Sequence, residues 1–295
     1  MISMPPPSSG GTHVLQILKM LESDDLNALG FFTAPAIHLE AQAMQQAFAD
    51  RSKYLGDPDF VTVPTDALLR ESYLNAARAK FTAENARSAQ EVLPGEVTSV
   101  HESDHTTHMS FMDSEGNVVV STQTINGWFG SKIVAEGTGI VLNNEMDDFS
   151  AKVGAKNIFG AVGSDANKVE PFKRPLSSMS PTIILKDGRP VLALGAPGGT
   201  RIITAVAQTV LNHLVYHQDL YSSVAAPRIH HQWVPDELWI ENRAAISDSL
   251  IRDLERRHYL VKKVGPKTNI MAVAKDENGL VGVADPRDIG TSAGE

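Results

Sequence analysis

Residues 105–108 read His105-Thr106-Thr107-His108. A threonine hydroxyl is a weak nucleophile until a base takes its proton. One such base is the residue's own α-amino group, which is available only when Thr is the first residue of a chain. Thr106 therefore makes sense as a nucleophile if the His105–Thr106 bond is cut; the alternative is a threonine at a strand edge, placed there by β-propensity. Further on, Gly198 and Gly199 lie at a strand-to-helix turn, where successive N–H groups suit an anion or oxyanion, although an ordinary turn uses the same pair. Ser177 and Ser178 place two hydroxyls beside Arg174, able to hold a carboxylate or to cap a turn. Glu145, Asp147 and Asp148 gather in one loop that could grip an ammonium group, or simply be solvated.

The histidines raise a metal reading. His101, His105 and His108 lie close together with Glu102 and Asp104 beside them, but they lack the i, i+4 helical pair of a zinc hydrolase, so no metal ligand is assigned. His230 and His231 read as packed, hydrogen-bonded residues near Trp233.

The elements that must carry these residues can be read from periodicity. Apolar spacing at Val14, Leu15, Ile17, Leu18 and Leu21 predicts a helix after a loop of prolines and glycines. Further helices are predicted over 34–54 and, behind a Thr-containing cap after Pro64, over 65–81. Residues 82–100 are polar and irregular. Alternation over 107–113 and 117–125, with Ser114-Glu115-Gly116-Asn117 between, predicts a hairpin. A long Gly/Asp/Asn-rich tract covers 127–171. Asp187-Gly188 joins a second strand pair, 182–186 and 190–195. A helix follows over 200–215, another over 247–257, and strands over 260–264, 270–274 and 280–283. This order predicts a layered α/β or α+β protein with antiparallel sheets.

Composition bounds the chemistry. The chain has 295 residues, 42% hydrophobic and 21% charged, enough for a substantial core. Its net charge of −9 carries no long basic run, which argues against nucleic acid or an anionic membrane and favours a small molecule or another polypeptide as partner. No apolar stretch approaches the ~18 residues of a membrane span, and the first residues do not form a signal peptide. The absence of cysteine excludes disulfides, zinc–thiolate sites and a cysteine nucleophile.

Taken in order, SMPPPSSGG, YLGDPDF (from Tyr54), TTH, NNEMDDFSAK, KRPLSSMSPT, PGGTRI, PRIHHQW and ADPR resemble the γ-glutamyltranspeptidases, over nearly the whole chain. These belong to the N-terminal nucleophile hydrolases. The resemblance implies a four-layer αββα sandwich, no cofactor, and a precursor that cuts itself between His105 and Thr106. Residues 1–105 would then end a large subunit and 106–295 form the small catalytic subunit, within one intertwined domain. Thr106 would attack the γ-carbonyl of a γ-glutamyl donor such as glutathione, with its freed amine as base. Thr124 would hydrogen-bond the nucleophile, and Gly198 and Gly199 would bind the oxyanion. Asn126, Glu145 and Asp148 would hold the donor's α-ammonium, and Ser177 and Ser178 its α-carboxylate. Water or an amino-acid or peptide amine would then resolve the ester. Phe159 falls in a lid where some members carry Tyr, and Glu145 stands where Gln also occurs.

The family precursor has a long stretch before SMPPPSSGG, including an arginine that pairs the donor's carboxylate. On this reading the chain is a C-terminal piece that lacks part of the large-subunit layers, with apolar surface exposed and homo-oligomer formation invited. No residue is assigned the arginine's role, since Arg174 and Arg201 sit in other motifs. The family implies a periplasmic or secreted parent. Three alternatives stay open: a cephalosporin or glutaryl acylase of the same superfamily, a non-catalytic unprocessed fragment, and a metal hydrolase using the 101–108 histidines. Glu145, Asp148 and the serine pair favour a donor head with an ammonium group, which a glutaryl group lacks.

Overall fold

The computed structural model describes residues 1–94, 106–150, 165–242, 246–277 and 279–294. In chain order the elements are β1 (Ile2–Ser3), α1 (Gly10–Leu21), α2 (Leu26–Leu29), α3 (Ala34–Tyr54), α4 (Thr65–Leu68), α5 (Glu71–Arg78), β2 (Thr106–Met112) and β3 (Val118–Thr124). There follow β4 (Thr182–Lys186), β5 (Arg189–Gly195), α6 (Arg201–Leu214), α7 (Leu220–Ala225), β6 (Ile229–His230), β7 (Leu238–Glu241), α8 (Asp248–Arg256), β8 (Val261–Val264), β9 (Met271–Asp276) and β10 (Gly279–Ala284).

Five strands in the order β1-β4-β5-β9-β10 form an antiparallel sheet. One of its faces receives helices: Leu192 and Leu194 of β5 and their register partners Ala274 and Ala272 of β9 join the core built on α1, α3 and α6. The other face receives the β2–β3 hairpin, whose strands pack on β5 and β9. Burial alternates along β2 with the period of a strand. His108 points inward and is buried, while Met109 and Phe111 are exposed. Its turn closes as expected, with Asp113 accepting from the Asn117 N–H at 2.8 Å and Gly116 at φ 92°.

The hairpin is seated by one close approach. The His108 ring lies over Gly195, where an added Cβ would sit 2.4 Å from ring carbon Cε1. The Ser110 hydroxyl donates to the Met271 carbonyl (3.1 Å) and so accepts from His108 Nε2–H (2.9 Å), leaving Nδ1 to accept from Thr122 (2.7 Å). Burial lowers the His108 pKa to about 4, so this ring is neutral near pH 7.

Helix α3 matches its expected limits but is not amphipathic: nearly every residue is buried, including His38, Gln42, Gln45, Gln46, Asp50 and Arg51. Buried polar groups require partners, and here surrounding elements supply them. Gln42 meets the Thr82 backbone, His38 the Tyr259 hydroxyl (2.8 Å), and Asp50 the side-chain amides of Gln16 and Gln46.

The structure departs from the sequence reading at two elements. The helix expected over 65–81 is two helices, because Leu68 packs with Leu55 and Leu176 whereas Leu74 and Ala77 enter the main core, and the chain turns between them at Arg70. The sheets are not all antiparallel: β7 and β8 pair in parallel across α8, in a small sheet ordered β6-β7-β8. No helix among the described residues is long and apolar enough to cross a membrane.

Candidate active site

Thr106 opens β2 and lies directly opposite Thr124, the last residue of β3. Register therefore brings the two hydroxyl-bearing residues together on the face turned towards β5, where cross-strand partners interact. Both line a cavity of about 350 Å³ together with Glu145, Asp148, Gly199, Ser177 and Ser178. Seven of the nine expected catalytic and donor-binding residues thus share one cavity.

The other two stand just behind it. Gly198 precedes Gly199 in the turn from β5 to α6, at φ 133° against 60° for Gly199. A Cβ on Gly198 would lie 2.1 Å from Thr268 Cγ2 and 2.8 Å from the Lys267 carbonyl, so only glycine fits there. The carbonyls of both glycines accept from the first turn of α6, Gly198 from Arg201 (3.2 Å) and Gly199 from Ile202 (3.0 Å). Their N–H groups meet no acceptor among the described residues.

Asn126 is fully buried at φ 68°. Its N–H donates to the Thr124 hydroxyl (2.9 Å) and its Nδ2 to the Asn144 carbonyl (3.0 Å), which ties the end of the hairpin to the acidic loop. Its Oδ1 is buried without a hydrogen-bond partner among the described residues, and so is Oε1 of Glu145. Burial raises the Glu145 pKa, opposed by a hydrogen bond with Asp148; burial also raises Asp147. The loop thus presents acceptors, an arrangement suited to a cationic group.

Residues that the sequence reading did not single out hold these loops. Asn167 is fully buried and bridges them: its Nδ2 donates to the Asp148 carbonyl (2.6 Å) and its Oδ1 accepts from the Leu176 N–H (2.9 Å). Asp57 of YLGDPDF accepts from the Arg174 N–H (2.8 Å) and from its Nε (3.0 Å) and Nη2 (2.5 Å). The Arg174 hydrogen bond, above all, lowers the Asp57 pKa to about 2. Ser8 and Ser9 bind the backbone of Ser177 and Met179, and Gly10 lets α1 approach so closely that a Cβ would meet the Met179 carbonyl at 2.5 Å. Arg51 reaches the Ser178 hydroxyl at 3.2 Å. An arginine beside Asp50 in a polar, almost entirely buried helix is a signal burial makes visible and periodicity does not.

Arg201 stacks on Trp239, 4.6 Å from ring centroid to guanidinium carbon, and does not line the cavity; neither does Arg174. His230 and His231 are buried and hydrogen-bonded as expected. Thr204 and Gln232 flank His230 at 2.9 Å each, and Gln232 also accepts from Thr200 at 2.9 Å, bracing the turn after Gly199. His101 and His105, Phe159 and the scissile His105–Thr106 linkage lie outside the described residues.

A sequence model described as Gamma-glutamyltranspeptidase matches residues 1–295. The Glutathione hydrolase proenzyme of Escherichia coli (strain K12) is 46% identical over 97% of this chain, and the Acylase ACY 1 proenzyme of Pseudomonas sp. (strain V22) is 38% identical over 98%. The matches cover 49% of each of those proteins, so the chain spans about half the length of the curated relatives it matches. Among solved structures, γ-glutamyltranspeptidase from Pseudomonas nitroreducens complexed with L-DON superposes with a TM-score of 0.61 at 42% identity, over 64% of this chain and 99% of that one. The motifs, the mixed helix-and-sheet fold and these likenesses agree: the chain belongs to the γ-glutamyltranspeptidase family.

Proposed function

We propose that this chain carries the catalytic half of a γ-glutamyl-transferring enzyme that takes glutathione or another γ-glutamyl compound as donor. The observation that supports it most is the shared cavity, lined by the Thr106–Thr124 hydroxyl pair, Glu145, Asp148 and the Ser177–Ser178 pair, with buried Asn126 beside it. After cleavage before Thr106, its amine takes the hydroxyl proton as Oγ attacks the γ-carbonyl. The tetrahedral oxyanion faces the N–H groups of Gly198 and Gly199. Expulsion of the amine leaves a Thr106 ester, which water or an amino-acid or peptide amine resolves. Thr124 orients the nucleophile. Asn126, Glu145 and Asp148 receive the donor's ammonium, and Ser177 and Ser178 its carboxylate. That demand for an ammonium group favours an amino-acid head over a glutaryl one.

The four-layer αββα sandwich is part of the same proposal. The described residues supply a helical layer, the five-stranded sheet and the hairpin. The outward face of β2–β3, with Phe111 at 58% and Val119 at 59% exposure, is where a second helical layer would sit.

Intact mass spectrometry after prolonged incubation tests the central step. Two fragments divided between His105 and Thr106, and one uncut mass for Thr106→Ala, are expected. An uncut parent chain would mean that the amine never forms and that the chain alone is an inert precursor. γ-Glutamyl anilide should be cleaved faster than a glutaryl amide; the reverse order would overturn the donor assignment.

A further inference from the structure

Arg51 has an environment that its fold does not require. It lies in the last turn of α3 at 1% exposure, among the largest fully buried side chains of the described residues. A buried guanidinium is costly unless its donors are used, and two of its nitrogens bind serines at or behind the cavity wall. Nε donates to the Ser9 hydroxyl (2.8 Å), which donates to the Ser177 carbonyl (2.8 Å). Nη2 donates to the Ser178 hydroxyl (3.2 Å). One rigid fork therefore holds Ser177 by its backbone and Ser178 by its side chain.

The direction of these bonds matters. A guanidinium has donors and no acceptor, so Ser178 Oγ must accept from Arg51 and its own O–H is left to donate. Among the described residues that O–H meets no acceptor, and Ser178, itself 2% exposed, lines the cavity. The positive charge is felt locally, since it helps to keep the buried His13 neutral.

We infer that Arg51 is a positioning residue for carboxylate recognition: it turns the Ser178 hydroxyl into the cavity and, through Ser9, holds Ser177 beside it, where an α-amino acid's carboxylate would bind. This rests on the donor-site reading above and adds to it an arginine from the segment before Thr106. A hydrogen bond from a correctly turned hydroxyl to a carboxylate is worth about tenfold or more in affinity.

The test is ligand-observed NMR titration of the full chain with L-glutamate and with 4-aminobutanoate, which is the same molecule without the α-carboxylate. Wild type should prefer L-glutamate by at least about tenfold. Arg51→Lys keeps the charge but not the fork, and Ser9→Ala removes one anchor from a residue outside the cavity. Both should lose most of that preference while 4-aminobutanoate affinity stays within about twofold, a separation that a merely structural defect does not produce. Ser9→Ala keeps the test decisive if Arg51→Lys fails to fold. Folded variants with unchanged preference would overturn the role of Arg51 and leave the donor-site reading standing. A wild-type chain without any preference would overturn that reading, and this inference with it.

Discussion

Gly195→Ala adds one methyl beneath the hairpin that carries Thr106, and its effect can be worked out from the packing. The new Cβ would lie 2.4, 2.5 and 2.8 Å from Cε1, Nδ1 and Nε2 of His108, whereas ordinary contact begins at 3.4 Å. The ring must therefore retreat by about 1 Å, and it is pinned by Thr122 on one nitrogen and Ser110 on the other. Overpacking of this kind costs about 1–3 kcal/mol, and weakening two buried hydrogen bonds adds roughly 0.5–1.5 each. The backbone at Gly195 is not in the left-handed region, so restricting the unfolded chain returns about 0.4–1 kcal/mol. The net expectation is a loss of about 2–4 kcal/mol, read as a lower urea midpoint in far-ultraviolet circular dichroism. Because the ring is the obstacle, Gly195→Ala combined with His108→Ala should be less destabilised than the sum of the single variants, by about 1 kcal/mol or more. A single variant within about 0.5 kcal/mol of wild type, or strict additivity, would refute the claim that this contact seats the hairpin.

Two further outcomes concern pH. Burial pushes Glu40 up to about 7, against an opposing hydrogen bond with Tyr216, so its contribution is full below its unfolded value of 4.5 and is lost as pH rises through 7. Glu40→Gln should remove that slope, worth about 3 kcal/mol between the two limits. The buried histidines act oppositely. His13 and His230 are lowered to about 3 by burial, so their stabilisation is present above 6.5 and is lost as pH falls; Glu40→Gln should therefore steepen acid unfolding in urea titrations followed from pH 8 to 5. At the cavity, burial raises the Glu145 carboxyl, so binding of 4-aminobutanoate should strengthen as pH rises through its titration. Glu145→Gln, which still accepts from an ammonium group but does not titrate, should flatten that profile in the same NMR assay.

Much of this was legible in the sequence wherever local chemistry and burial agree. The Asp113–Asn117 turn, the Asp187-Gly188 turn and the limits of α3 are read directly, because turn chemistry and cap residues act over a few positions. The kink at Arg70 was not, since it arises from Leu68 and Leu74 belonging to different apolar clusters. The two-residue strand β6 and the parallel β7–β8 pair were missed for a similar reason: short segments carry little periodicity, and the parallel pairing depends on the α8 crossover that returns the chain. At the site, side chains facing the cavity announce themselves as unusual motifs. Arg51, Asp57 and Asn167 act through backbone and hydroxyl groups distant in sequence, and no local pattern marks such contacts.

The way the two stretches flanking residues 95–105 are interleaved has a consequence for any break made between them. β1 completes a sheet whose other strands come from beyond residue 181, and the Trp233 indole donates to the carbonyls of Ala89 and Val92 at 2.9 Å. Asn27 reaches the Val215 carbonyl at 2.9 Å, and the apolar core draws on both stretches throughout. Neither stretch encloses a core by itself. A severed chain would therefore behave like one nicked polypeptide: its halves would co-purify through a tag on either, resist dilution, and part only under conditions that melt the whole.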